Sequence, residues 1–79
     1  MSEFKANVTI SPNPTNGVIN VVSDKNYSID VIDINGRIIS TTQMLNNRAS
    51  IDISGNQAGM YIVRLNSEEG TAIYKVIKK

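Results

Sequence analysis

Turn-forming residues recur at nearly even spacing along this chain, and runs rich in valine and isoleucine separate them. The turn segments are residues 12–17, 24–26, 35–36, 46–47, 54–59 and 68–70. Glycine, proline, asparagine and aspartate favour turns because they impose or tolerate unusual backbone angles. Short β-branched runs between such turns, roughly 8–12 residues apart, are typical of all-β sandwiches. The sequence therefore predicts a small seven-stranded antiparallel immunoglobulin-like β-sandwich.

Apolar and polar residues alternate within these runs, which predicts one buried face for each strand because successive side chains point to opposite sides. The expected strands are residues 5–11, 17–23, 27–34, 37–43, 48–54, 60–66 and 71–79. The second strand is apolar on both faces, so we expect it at the centre of a sheet. In the third strand the apolar residues switch from odd to even positions near Ile32, which predicts a β-bulge. No run has the 3.6-residue period of a helix.

Asn35-Gly36 is the strongest hairpin signal in the sequence. A type I′ turn requires positive φ at both central residues, and Asn followed by Gly tolerates this best. We therefore expect a two-residue I′ turn here. Residues 44–47 are expected to form a looser connection.

Length and composition exclude most kinds of catalytic site. The 79 residues predict one domain, with residues 1–4 as a linker or a cloning remainder and residues 5–79 as the folded part. The sequence has no cysteine and no histidine, so we expect no thiolate chemistry, no zinc site and no Ser-His or Cys-His nucleophile pair. A net charge of +1 argues against nucleic acid or an anionic membrane as a partner. We expect no metal, no cofactor and no small-molecule substrate.

The acidic residues offer little for acid–base catalysis or for calcium. Asp30 and Asp33 lie three residues apart on a predicted strand, so they should point to opposite faces and not form a catalytic pair. Asp24 and Asn26 offer oxygen atoms, but no glutamate follows at the spacing of an EF-hand loop. An enzyme is therefore the least supported class.

The basic segment at residues 75–79 has two interpretations. Lysines on an edge strand discourage pairing with other chains, which is a common protective device. Alternatively, the segment is a basic strand that is presented to a receptor. The residues alone favour the first and leave the second open.

Four segments match, in order and spacing, the motifs of one known family. Residues 10–17 contain a strand end, Pro-Asn-Pro, a small polar residue and Gly, and residues 31–37 contain a central strand that ends in a Gly-basic turn. Residues 53–64 contain a strand that starts with small-Gly-x-Tyr, and residues 75–79 form a terminal basic strand. The pattern covers residues 6–79 and resembles the type A C-terminal sorting domain of the type IX secretion system.

The resemblance implies that the motif residues are recognised. They are Pro12, Asn13, Pro14, Gly17, Asn35, Gly36, Arg37, Gly59, Tyr61, Lys75, Val76, Lys78 and Lys79. It further implies a non-catalytic export signal fused behind a cargo protein, which passes through the periplasm to the cell surface or the medium. The implied partners are the outer-membrane translocon, a sortase-like peptidase that removes the domain, and the cargo. We expect the domain to be monomeric.

Two other functions stay open on the residues alone. An immunoglobulin- or fibronectin-like module could bind or adhere at a cell surface. Carbohydrate-binding sandwiches stack sugar rings on exposed aromatic side chains, and at least two of the three tyrosines, Tyr27, Tyr61 and Tyr74, are expected in the core. A passive spacer that supports a neighbouring domain is the second possibility.

Overall fold

The computed structural model describes residues 7–12 and 14–79, and this part of the chain contains strands and turns but no helix. The strands are β1 (Val8–Ser11), β2 (Val18–Ser23), β3 (Ser28–Ile32), β4 (Ile38–Gln43), β5 (Arg48–Asp52), β6 (Gly59–Ser67) and β7 (Gly70–Lys78). The predicted start of the first strand at residues 5 and 6 lies outside the described residues. Within them, no helix of membrane-spanning length and hydropathy is found. The all-β prediction is confirmed.

The seven strands form two antiparallel sheets that face each other. The order is β1-β2-β5 in the three-stranded sheet and β4-β3-β6-β7 in the four-stranded sheet. In immunoglobulin terms these are strands A-B-E and C′-C-F-G. The predicted central position of β2 is confirmed, and β7 lies at an edge of its sheet.

The core lies between the sheets and is built mainly of β-branched residues. The buried apolar residues are Ile19, Val21, Tyr27, Ile29, Val31, Met44, Ile51, Ile53, Tyr61, Val63, Leu65 and Val76. Their alternation along each strand follows the predicted parity, with Val18 and Val22 exposed on the outer face of β2. Each fully buried side chain of this size contributes about 1.5–3 kcal/mol. This core fixes the strands whose ends carry the motif residues.

The irregularity predicted near Ile32 is confirmed, but the extra residue lies on the neighbouring strand β4 and not on β3. The pairing with β4 shifts between Val31, which lies opposite Ser40, and Ile32, which lies opposite Ile38. Ile39 is the additional residue, while Val31 and Ile32 keep an unbroken register with β6. β3 ends at Ile32, so Asp33 lies in the following turn and not on the strand.

The predicted type I′ turn at Asn35-Gly36 is wrong. Gly36 has a φ of 84°, but Asn35 is not among the described residues with positive φ. The Asp33 N–H donates to the Arg37 carbonyl at 2.9 Å, and the Gly36 N–H donates to the Asp33 carbonyl at 3.0 Å. Since Ile34 also lies in the loop, three residues connect the strands, and such loops place a single glycine in the left-handed region.

The type I′ geometry lies instead at Asn46-Asn47, where a looser connection was predicted. These residues have φ values of 54° and 64°. The flanking residues Leu45 and Arg48 exchange main-chain hydrogen bonds at 3.0 and 3.2 Å. The connection between β4 and β5, residues 44–47, thus contains a tight two-residue turn.

Candidate recognition surface

The four motif segments lie at one end of the sandwich, which we call the motif end (residues 12–17, 33–37, 53–61 and 75–79). The strand pairing places them there. Lys78 lies opposite Gly59 at the start of β6, and Ile32 at the end of β3 lies opposite Ile62. Val18 at the start of β2 lies opposite Asp52 at the end of β5. Segments that are far apart in the sequence therefore share one surface.

The opening motif pairs with the end of the last strand. The Thr15 N–H donates to the Ile77 carbonyl at 2.8 Å, and the Lys79 N–H donates to the Thr15 carbonyl at 2.8 Å. These two bonds form a parallel bridge between Thr15 and Lys78. After β1 the chain thus leaves the three-stranded sheet and covers part of the edge of the four-stranded one. Pro12 and Pro14 are exposed, whereas Asn13 lies outside the described residues.

Thr15 is fully buried and fixes the shape of this loop. Its Oγ1 donates to the Val18 carbonyl at 2.6 Å and accepts from the Gly17 N–H at 3.1 Å. Thr15 is not among the site residues predicted from the sequence. A hydroxyl residue two positions before a glycine is a known turn pattern, and this signal could have identified it.

Gly17 connects the opening motif to the third motif. Its carbonyl accepts from the Ile53 N–H at 2.7 Å. A Cβ at Gly17 would lie 2.8 Å from the Cβ of Ser54, and the φ of +151° is one that other residues rarely adopt. Glycine is required here for both space and backbone angle.

The turn at residues 33–37 is organised by the carboxylate of Asp33. One carboxylate oxygen accepts from the N–H groups of Asn35 and Arg37 at 2.9 and 3.0 Å, and the other accepts from Arg37 Nε at 3.2 Å. The main-chain N–H of Arg37 is the main cause that lowers the pKa of Asp33, and the N–H of Asn35 adds to it. The Arg37 side chain is nevertheless 78% exposed, so it is presented to solvent.

A groove of about 470 Å³ separates this turn from the loop before β6. It is lined by residues 33–35, Arg37, Ile39 and residues 55–61. Tyr61 anchors the loop, because its ring is buried and its hydroxyl donates to the Gln57 carbonyl at 2.5 Å. The second and third motifs thus form the two walls of one groove.

The last strand alternates between the core and the surface. Val76 is fully buried and Lys78 is only 9% exposed, whereas Lys75, Ile77 and Lys79 face outward. The strand is at a sheet edge, as the protective interpretation requires. The strand also terminates at the motif end, which is the position that the receptor interpretation requires.

The carboxylates considered for catalysis serve the fold. Asp30 accepts from Arg64 at 2.8 and 3.2 Å, from Thr41 at 3.1 Å and from Asn66 at 3.1 Å. The hydrogen bonds from Arg64 are the main cause that lowers the pKa of Asp30, and those from Thr41 and Asn66 add to it. Asp30 and Asp33 share no site.

The oxygens considered for calcium are also engaged. The Asn26 side-chain oxygen accepts from the Asn47 N–H at 2.8 Å, and Asp24 accepts from Asn7 and Ser23 at 3.2 Å each. In residues 7–12 and 14–79 no three acidic, cysteine or histidine side chains are grouped as a metal site requires. Tyr27 and Tyr61 are buried, so these two rings offer no stacking platform for a sugar, and Tyr74 is half-buried.

Comparison with known families agrees with the resemblance found in the sequence. The model of the secretion system C-terminal sorting domain matches residues 9–79, a range that contains all four motif segments. The comparison with curated proteins finds no match. Domains of this family are generally non-catalytic, follow an N-terminal cargo and mark secreted or cell-surface proteins. The chain therefore belongs to the C-terminal sorting domains of the type IX secretion system and carries a sorting signal.

Proposed function

We propose that the motif end is the surface by which the outer-membrane translocon of the type IX system recognises residues 5–79 as a folded unit. The observation that carries the proposal is the convergence of four sequence motifs on one end of a two-layer fold. A linear peptide signal would need no such convergence. A folded signal does need it, because its receptor contacts one surface at a time.

The motif residues fall into two groups within this proposal. Gly17, Gly36, Gly59, Tyr61 and Val76 set the shape of the surface through backbone angles and burial. Seven residues are proposed to contact the translocon: Pro12, Asn13, Pro14, Asn35, Arg37, Lys75 and Lys78. Those that the structure describes are exposed except Lys78, which is mostly buried, and Asn13 lies outside the described residues. Lys79 belongs to the first group, because its main-chain N–H holds the opening loop.

The path of the first strand supports an uncovered motif end. β1 runs toward the motif end, since Val8 lies opposite Ser23 and Ser11 lies opposite Asn20. Asn7 accordingly lies at the opposite end, where its side chain donates to Asp24 at 3.2 Å. A cargo joined ahead of β1 is therefore attached away from the proposed recognition surface. We infer that the sortase-like peptidase cuts on this side, after the monomeric domain has passed from the periplasm through the translocon.

A fusion experiment tests the proposal. Residues 5–79 are fused behind a periplasmic reporter in a type IX host, and surface and medium fractions are assayed. We expect the reporter outside the cell and the fusion to be shortened by the mass of the domain. Retention in the periplasm, while an established sorting domain exports the same reporter, would contradict the proposal.

A further inference from the structure

A continuous set of hydrogen bonds links three of the motif segments. The Lys79 N–H donates to the Thr15 carbonyl, the Gly17 N–H donates to the Thr15 hydroxyl, and the Ile53 N–H donates to the Gly17 carbonyl. The two distances between main-chain atoms are 2.8 and 2.7 Å, and the bond to the hydroxyl is 3.1 Å. The set runs from the last strand through the opening loop to the third motif.

The lysine side chains take no part in this set. Lys79 contributes its main-chain N–H and Ile77 its main-chain carbonyl, and both bonds end on the backbone of Thr15. The Lys78 side chain is mostly buried, and its Nζ donates to the Lys79 carbonyl at 3.5 Å. Side-chain charge at residue 79 is therefore separable from the bond that its backbone makes.

We propose that Thr15 is a positioning residue of the sorting signal, and that Lys79 contributes to the signal through its main-chain N–H and not through its charge. This inference rests on the proposed function of the motif end and deepens it. Thr15 holds Gly17 where only glycine fits against Ser54. The last strand, by holding Thr15, sets the opening loop in the shape that the translocon meets.

The first arm of the test measures amide hydrogen exchange in the full chain. Lys79→Pro removes the N–H, whereas Lys79→Ala keeps it and removes only the charge. We expect Lys79→Pro to speed amide exchange at Thr15 and Gly17 by about fivefold or more, because the net stabilisation from one hydrogen bond is lost there. Lys79→Ala should leave both amides unchanged.

The Asn47 amide serves as the internal reference, since it is bonded to Asn26 at the opposite end. It should keep its exchange rate in every variant, which separates local loosening from unfolding. Unchanged exchange at Thr15 and Gly17 in Lys79→Pro would overturn the inference.

The second arm measures export of the reporter fusion. Thr15→Ser keeps the hydroxyl and Thr15→Val removes it at nearly the same shape. We expect Thr15→Ser and Lys79→Ala to export as the parent does, and Thr15→Val and Lys79→Pro to export several-fold less with an unchanged Asn47 amide.

Export distinguishes failure of this inference from failure of the proposed function. Equal loss of export in Lys79→Ala and Lys79→Pro would overturn the inference and assign the effect to the lysine side chain, with the proposed surface intact. Full export of every variant, including one with Arg37 and Lys75 reversed in charge, would overturn the proposed function itself.

Discussion

The two ends of the sandwich are built differently. At the motif end, the connections are longer, and the opening loop is bonded to both sheets. The Thr15 N–H donates to the Ile77 carbonyl of the four-stranded sheet, and the Gly17 carbonyl accepts from the N–H of Ile53, which follows β5 of the three-stranded sheet. At the opposite end (residues 24–27, 43–48 and 67–70) the connections are shorter. One contains the I′ turn at Asn46-Asn47, and the ion pair between Lys25 and Glu69 joins the other two.

The opposite end connects its strands with short turns. Main-chain bonds extend the strand pairing there within each sheet, as when the Ser23 N–H donates to the Asn47 carbonyl at 2.9 Å and the Met44 N–H donates to the Tyr27 carbonyl at 3.1 Å. Short turns fix strand register at low entropic cost. The segments of the motif end are longer than the turns of the opposite end, which agrees with the recognition role that we propose for them.

The largest loss of stability is expected from a substitution at Gly17, and Gly55, also at the motif end, provides the comparison. Gly17→Ala should destabilise the domain by about 2–4 kcal/mol, because the new methyl group meets Ser54 and the φ is unfavourable. Chemical denaturation measures this loss. At Gly55 a Cβ meets no described atom within 4 Å, so Gly55→Ala is the matched control and should change stability by less than about 0.5 kcal/mol. Equal losses of stability for both variants would contradict the requirement for glycine at position 17.

Asp30 lies between the two ends and should affect stability without affecting export. Its pKa is lowered in the folded state from an ordinary value of 3.8. The carboxylate therefore stabilises the fold above that value, and this contribution is lost as the pH falls through the lowered one. Asp30→Asn should cost about 1–2 kcal/mol at pH 7 and flatten the decline in stability below about pH 4.

The control for Asp30→Asn is Glu68→Gln, which removes one charge from an exposed turn. Denaturation curves recorded at pH 7 should coincide for this control and the parent, because surface substitutions change stability little. A variant at Asp30 that keeps the full acid dependence would show that the bonds from Arg64, Thr41 and Asn66 contribute little.

At the opposite end, Asn46→Ala should destabilise by about 1 kcal/mol, since alanine at a φ of 54° is strained. Asn46→Gly relieves that strain and should be as stable as the parent. Both should export the reporter normally, because the change lies away from the motif end. Loss of export in a folded Asn46 variant would break the contrast between the ends.

The smallest effect is expected from the ion pair between Lys25 and Glu69. The two side chains are 37% and 66% exposed, so water and salt screen their attraction. A double-mutant cycle with alanine should give a coupling below about 0.5 kcal/mol that decreases with added salt. A coupling above about 1.5 kcal/mol would mean that this end depends on charge more than its turns suggest.

Local sequence patterns predicted the strands, their buried faces and the bulge near Ile32, because these features depend on alternation within a few residues. The turn type at Asn35-Gly36 was wrong, since Ile34 lengthens the loop and only Gly36 needs positive φ. Asn46-Asn47 was missed because two asparagines signal a tight turn less strongly than Asn-Gly.

The site was predicted only in part for a different reason. The motif residues were identified by resemblance, but their convergence depends on strand pairing between distant segments. The sequence places Thr15 in the turn segment at residues 12–17 and gives no sign that it is buried. Its main chain pairs with residues 77–79, more than sixty residues later in the chain, and no local pattern encodes that contact.

Export of two charge-matched variants tests the central claim most directly. Arg37→Glu with Lys75→Glu reverses two cations at the motif end, and Lys25→Glu with Arg48→Glu reverses two at the opposite end, so the net charge changes equally. With both variants folded, we predict that the reporter fused to the first stays in the periplasm and that the second is exported as the parent is. Export of the first, or retention of the second alone, would contradict the claim that the motif end is the recognition surface.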